Sequence, residues 1–221
     1  MHRPDLRGRP VFLSGGTSGI GLSLARRAAA EGASILAFSV DDEARREEAR
    51  AAIEGARADP AQIVQTPHVD VGDADAVASC LGAACRDLGA PALVVHSAGI
   101  GGAAPFYTIS DARFDASMQV NLAGMRHMAA ACLPAMRAAG KGTILGISSF
   151  SGLVGSYGYT AYAASKFALV GFLDALRAEC APDGVAVAVA CPVQVDTPML
   201  RQTNLTKPPE TLALNANVGV L

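Results

Sequence analysis

Lysine is scarce in this sequence: Lys141, Lys166 and Lys207 stand against fifteen arginines. An excess of charge of either sign is lacking too. The formal net charge is −2 and the pI about 6.1, so there is no electrostatic footprint for nucleic acid. The densest charged stretch, DDEARREEAR at 41–50, alternates in sign and reads as a solvated helix face. Five cysteines are odd in number and have no CxxC spacing, which argues against a disulfide framework or a zinc site and for buried thiols in a reducing compartment. The four histidines are isolated, so no metal site is expected. No apolar run reaches the roughly 18 residues of a membrane span, and the opening MHRPDLRGRP is not a signal peptide. Asn204-Leu205-Thr206 fits a glycosylation sequon, but without a secretory signal it is read as chance. A soluble, cytoplasmic setting is expected.

What is present is a regular alternation. PVFLS (10–14), ASILAF (33–38), QIVQTPHV (62–69), ALVVH (92–96), GTILGIS (142–148) and VAVAVA (185–190) read as strands. They lack strict polar alternation, as strands covered on both faces do. Helix-like segments lie near 19–31, 41–57, 73–88, 111–138 and 160–180. Strands separated by helices predict βαβ units and an α/β, doubly wound parallel sheet. With 51% hydrophobic residues and no linker or repeat, residues 1–221 are expected to form one domain.

The first strand–helix junction carries SGGTSGIG at 14–21. Gly15, Gly19 and Gly21 let the backbone turn sharply and approach a pyrophosphate at a helix N-terminus. The spacing is Gly-x-x-x-Gly-x-Gly, placed after the first strand and before a helix. Further on, Tyr162 and Lys166 stand at i and i+4 and so share one face of a helix. A free phenol has a pKa near 10 and is a poor acid–base group at neutral pH. A neighbouring ammonium favours the phenolate and moves that pKa toward the working range. Tyr157 and Tyr159 have no lysine at i+4 and read as loop or pocket-wall residues.

SGGTSGIG, Asn121 in QVNLAG, Ser149 and Tyr162-Ala-Ala-Ser-Lys166 together resemble the short-chain dehydrogenase/reductase family, in its order and spacing over nearly the whole chain. The resemblance implies a Rossmann-like fold, with residues 1–140 mainly binding coenzyme and 141–221 supplying the catalytic helix and substrate lid. It implies hydride transfer from a nicotinamide to a carbonyl carbon while Tyr162 protonates the oxygen and Ser149 positions it. Ser149, thirteen residues before Tyr162, is favoured over its rival Ser148. Lys166 would also bond the nicotinamide ribose. Asn121 would help hold a water leading to solvent, although a capping or structural asparagine is the other reading.

Coenzyme contacts are implied along the turn at Gly15, Thr17, Ser18, Gly19, Ile20 and Gly21. Others are implied at Ser39, Asp70 and Val71, at Ala98 and Gly99, at Tyr162 and Lys166, and at Pro192, Val195 and Thr197. Asp70 resembles the residue that contacts adenine, and Thr197 the one that binds the carboxamide. There are departures. Ser14 replaces the usual threonine, and His96-Ser97-Ala98-Gly99 stands for Asn-x-Ala-Gly, with His96 read as structural. An NAD enzyme would place a carboxylate at the end of the second strand, where Ser39 stands, so NADP(H) is favoured over NAD(H). The basic residue that many NADP-dependent relatives use is absent, with Val40, Asp41 and Asp42 following instead.

Asn204-Leu205-Thr206-Lys207-Pro208-Pro209-Glu210-Thr211 is similar to the lid segment of the 3-ketodihydrosphingosine reductases, and so is the helix sequence at 158–179. This resemblance implies reduction of 3-ketosphinganine, with Met199, Leu200 and Leu205 over the alkyl chain and Glu210 near the substrate ammonium. Eukaryotic members of that group carry membrane segments that are lacking here, so transient membrane-surface contact is the expectation. The helices near 111–138 and 160–180 suggest a homodimer or homotetramer. The chain stops at Leu221, before the last helix and strand usual in the family, and a truncated or remodelled end is expected. The rival readings are a general ketoreductase on another ketone and a non-catalytic NADP sensor.

Overall fold

The computed structural model describes residues 5–215 and 219–220; the expectation about the end at Leu221 lies outside them. Six parallel strands form one sheet in the order β3-β2-β1-β4-β5-β6. They are β1 (Pro10–Ser14), β2 (Ser34–Phe38), β3 (Val64–Gln65), β4 (Leu93–His96), β5 (Gly142–Ile147) and β6 (Val185–Ala190). The strand period of two sends neighbouring side chains to opposite faces. Phe12, Leu36, Val94 and Ile144 point to one side, against Leu81 of α3 (Ala74–Leu88), Met125 of α5 (Gly124–Ala139) and Leu169 of α6 (Thr160–Cys180). Val11, Leu13, Ile35 and Val95 point to the other, against Ala25 and Ala29 of α1 (Gly19–Ala30) and Ile53 of α2 (Glu43–Glu54). Both faces are covered, which is why the strands read as unbroken apolar runs. The fold is the expected Rossmann-like α/β sheet.

Three elements differ from expectation. The helix expected over 111–138 is interrupted: α4 (Asp111–Met118) passes through a π-helical turn at Gln119–Ala123 before α5 begins. The strand expected over 62–69 forms only at Val64–Gln65, with a single further bridge between His68 and Ser39. The Gln62 amide is turned inward onto the Ala29 and Ala33 carbonyls, and Pro67 has no N–H for a ladder. The proline-bounded lid folds into two short helices, α7 (Pro198–Asn204) and α8 (Pro209–Asn215). Thr197 caps α7, its hydroxyl accepting from the Leu200 amide at 3.2 Å. The charged face of α2 is exposed, as expected, and laced with the Arg45–Glu48, Arg50–Glu47 and Arg50–Glu54 pairs.

Strand order reverses between β1 and β4, and a crevice opens at the carboxyl ends of the strands there.

Candidate active site

A cavity of about 530 Å³ fills that crevice. At one end lies the 14–21 turn. Gly15 and Gly19 adopt φ of +61° and +50°, in the left-handed region that a side chain disfavours. A Cβ on Gly15 would stand 2.7 Å from the Ala98 amide nitrogen, and one on Gly21 would run into the Gly15 carbonyl oxygen. The turn is therefore backbone packed on backbone, with Thr17, Ser18, Gly19 and Ile20 bordering the cavity. Such a cradle fits a pyrophosphate.

At the other end, α6 presents Tyr162 and Lys166 to the cavity beside Ser149. Burial raises the Tyr162 pKa above that of a free phenol, and a side-chain hydrogen bond with Ser149 works in the opposite direction. Lys166 is 4% exposed, and burial brings its pKa down to about 8. Its Nζ donates to the Ile147 carbonyl at 2.8 Å and lies 5.7 Å from the centroid of the Tyr162 ring. In this arrangement the ammonium serves the end of β5, and the phenol stays protonated. The expected lowering of the Tyr162 pKa by Lys166 is not found: the ammonium bonds the Ile147 carbonyl instead, and burial outweighs the lowering by Ser149. Ser148 is committed elsewhere: its hydroxyl donates to the Lys166 carbonyl at 3.0 Å. Tyr159 lines the cavity, with its ring centroid 5.9 Å from that of Tyr162. Tyr157 is exposed and receives Thr211 Oγ1 on its carbonyl.

Asn121 sits in the π turn, fully buried and behind the cavity wall. Its Oδ1 accepts from the Ile100 amide at 2.8 Å, and its Nδ2 donates to the Ile100 carbonyl and to Ser165 Oγ. The Asn121 carbonyl, freed by the π turn, takes the ring nitrogen Nε2 of His96 at 3.3 Å. A carbonyl only accepts, so Nε2 carries the proton and Nδ1 accepts from Ser14 Oγ at 2.8 Å. His96 thus ties β1 to the π turn. Burial holds its pKa down to about 3, which keeps the ring neutral.

Asp70, Val71, Ala98 and Gly99 border the cavity near the turn, as do Pro192, Val195 and Thr197 near the lid. Of the catalytic and coenzyme residues predicted from the sequence, Gly21 and Asn121 alone are outside the lining. Ser39 is present at the end of β2, but it is not alone there. The Asp41 carboxylate oxygen Oδ2 accepts from both Thr17 Oγ1 and Ser39 Oγ. Sequence reasoning places Ser39 at the usual position and keeps Asp41, two residues beyond it, as the ribose-binding alternative should NADH be preferred.

The lid departs from expectation in two respects. Leu205 is 86% exposed and lies off the cavity, whereas Met199, Leu200 and Leu214 line it. Glu210 is exposed and lies outside the lining; the lid's charged residue at the cavity is Lys207, 8% exposed, with its Nζ on Asn204 Oδ1 at 2.6 Å. Lys207 lies in the non-helical link before α8 and Glu210 in the first turn of α8, a difference of which residue type alone gave no signal. Gln194 also lines the cavity, with a buried amide nitrogen that has no hydrogen-bond partner among the described residues.

A strand-end cavity with a glycine cradle at one end and a Ser–Tyr–Lys set at the other is the geometry of a nicotinamide-dependent oxidoreductase. The short chain dehydrogenase family model matches residues 9–208, and the chain belongs to that family. It is 35% identical over 216 residues to a 3-dehydrosphinganine reductase of Danio rerio and 33% identical over 216 residues to a 3-ketodihydrosphingosine reductase of Bos taurus. Each match covers 97% of this chain and 65% of the relative, so the chain spans about two thirds of their length. The solved structure of a levodione reductase superposes with a TM-score of 0.84 at 30% identity, over 90% of this chain and 76% of that one.

Proposed function

We propose that this chain reduces a ketone to a secondary alcohol with a nicotinamide coenzyme, and that the ketone is 3-ketosphinganine. The observation that carries the reaction is the meeting of Ser149, Tyr162 and Lys166 on one wall of the cavity that begins at the glycine turn. When bound, the coenzyme supplies hydride to the carbonyl carbon. Tyr162, kept protonated by burial, gives its proton to the carbonyl oxygen, which the Ser149 hydroxyl holds in place. Lys166, with a pKa of about 8, is poised to release or retain a proton near neutral pH. Asn121 positions this set through Ser165, whose hydroxyl bonds the Tyr162 carbonyl.

The substrate assignment is supported by the relatives named for that reaction and by the lid segment Asn204–Thr211. Met199, Leu200 and Leu214 offer apolar cover for a hydrocarbon tail. A buried methylene is worth about 0.8 kcal/mol, so affinity should climb with chain length. The test is kcat/KM across 3-keto amino alcohols of increasing length, for the wild type and a Met199→Ser, Leu200→Ser variant. A steep rise that the variant flattens is expected; flat dependence in the wild type would sink the sphingoid assignment. A second reading, an acyl or other anionic ketone, is favoured by the Lys207 ammonium at the lid end, and the same assay run with 3-keto acids separates the two.

The reading treats residues 1–221 as one domain and extends to a homodimer or homotetramer through α4–α5 and α6, where Phe167 is exposed. It also extends to a cytoplasmic chain that touches membranes transiently, a role suited to the exposed Phe106 and Tyr107. No helix among the described residues is long and apolar enough to cross a membrane. Light scattering and vesicle co-sedimentation test these two points. For the coenzyme, the uncharged Ser39 favours NADP(H), while the carboxylate beside it favours NAD(H).

A further inference from the structure

We infer that Gln194 is a specificity-determining residue, whose amide nitrogen donates to the primary hydroxyl oxygen in the head of the substrate. This role rests on the 3-ketosphinganine reading above and assigns a contact for a head group that the reading leaves open. Among the described residues, one buried side-chain nitrogen or oxygen lacks a hydrogen-bond partner, and it is Nε2 of Gln194. Native proteins bond nearly all such groups, because an unpaired buried donor forfeits its hydration with nothing in return. At the wall of a cavity, an acceptor on a ligand can supply the missing bond.

Chain placement puts this amide beside the reacting groups. β5 and β6 are paired as far as Ile147 and Ala190, and the pairing continues past the strand ends. There the Ser148 amide donates to the Ala190 carbonyl and the Phe150 amide to the Pro192 carbonyl, each at 2.8 Å. Ser149 therefore lies alongside the start of the 192–197 segment. At the far end of that segment, a Cβ on Gly19 would stand 3.1 Å from the Thr197 methyl, so Thr197 adjoins the glycine turn. Gln194 stands between the two and lines the same cavity as Ser149 and Tyr162. A parallel bridge to Val220 ties down its main chain, and the carboxamide is left unbonded. The terminal torsion of a glutamine is soft, so the amide can turn to a ligand at little cost.

Neighbouring polar groups are already spent. Ser148 donates to the Lys166 carbonyl, Lys166 to the Ile147 carbonyl and Lys207 to Asn204 Oδ1, while Thr197 Oγ1 accepts from the Leu200 amide. The head of a 3-keto amino alcohol carries three polar groups. Its ketone oxygen goes to Ser149 and Tyr162. Its ammonium has protons to give and no lone pair, so it cannot serve an N–H donor. The primary hydroxyl oxygen, two carbons from the ketone, is the acceptor that remains for Gln194.

The experiment measures kcat/KM for 3-ketosphinganine and for the analogue without the primary hydroxyl. It uses the wild type and Gln194→Met, which keeps the length of the side chain and removes the amide. The wild type should favour the hydroxylated ketone by about tenfold to a hundredfold, the range for a buried donor that gains or lacks its partner. In Gln194→Met the ratio should fall to near one, through loss on the hydroxylated ketone. Equal wild-type values for the two ketones overturn the inference while the sphingoid reading stands, and an unchanged ratio in the variant does the same. Melting of the coenzyme-free proteins is a second readout. Gln194→Met should melt at or above the wild type, because an unpaired buried donor has gone. A lower Tm means that the nitrogen is bonded within the protein, and overturns the inference. Loss of coenzyme binding by the variant, measured by calorimetry, assigns the amide to the coenzyme and overturns it too. Wild-type turnover of neither ketone removes the sphingoid reading and this inference together. The wild-type comparison needs no variant, so it decides even if Gln194→Met does not fold.

Discussion

The ammonium of Lys166 sits on the carbonyl of Ile147, 2.8 Å away, and not on the hydroxyl of Tyr162, although the two side chains share a face of α6. The lysine is buried at a helix–strand junction, and its ammonium donates to the last carbonyl of β5. A charge held there is costly.

That cost should be measurable. The folded-state pKa of Lys166, about 8, lies below the ordinary value of 10.5. Below pH 8 the lysine is charged in both states and the desolvation penalty is full. From pH 8 to 10.5 the unfolded chain holds the proton that the folded chain has released, so stability rises with pH. Lys166→Met, compared without coenzyme, should therefore be more stable at pH 7 by about 1–2 kcal/mol after loss of the Ile147 hydrogen bond. For a chain of this size that is about 2–8 °C in Tm. The gain should shrink at pH 9.5, and activity should vanish. A variant that melts lower than the wild type at pH 7 would show that the buried charge carries no penalty.

Removing only the phenol hydroxyl, in Tyr162→Phe, should leave the fold and coenzyme affinity intact while turnover falls by about 10²–10⁴-fold. Steady-state kinetics beside calorimetry check this. Near-normal turnover would transfer the acid role to Tyr159, whose ring also borders the cavity.

His96 makes the protein acid-sensitive. Its folded pKa of about 3 lies below the ordinary 6.5, so its stabilising contribution is complete above pH 6.5 and is lost as pH falls toward 3. Between pH 6.5 and 4 the loss amounts to about 3 kcal/mol. His96→Asn keeps a donor for the Asn121 carbonyl and an acceptor for Ser14 but does not titrate. Urea midpoints at pH 7 and pH 4 should show the wild type losing more stability than the variant; parallel losses would dismiss His96 as the acid-labile group.

Gly21→Ala should abolish coenzyme binding and lower Tm by several degrees, because its methyl meets the Gly15 carbonyl oxygen and neither is the end of a flexible side chain. Gly171 has open space at the same atom, and Gly171→Ala on α6 should be neutral or slightly stabilising. Differential scanning fluorimetry with and without coenzyme compares the two. Equal behaviour would mean that the 14–21 turn relaxes freely.

Much of this was legible in the sequence, and for a local reason. Strand and helix periodicity, the glycine spacing of the 14–21 turn and the i, i+4 relation of Tyr162 and Lys166 depend on residues close in the chain, so order and spacing were enough for the sheet and for both ends of the cavity. The reading of His96 as structural was also available, since an imidazole in an apolar strand needs partners inside the fold. What the tertiary structure alone decided was where polar groups spend their bonds. That Lys166 serves Ile147, that the π turn frees the Asn121 carbonyl for His96, and that Lys207 points inward while Glu210 points out follow from which acceptors burial leaves nearby. The lean toward NADP(H) comes from spacing read along the strand to position 39. Asp41 returns to that position through a hydroxyl contributed by Thr17, and such a contact, made across 24 residues by chain packing, has no period for a sequence to display.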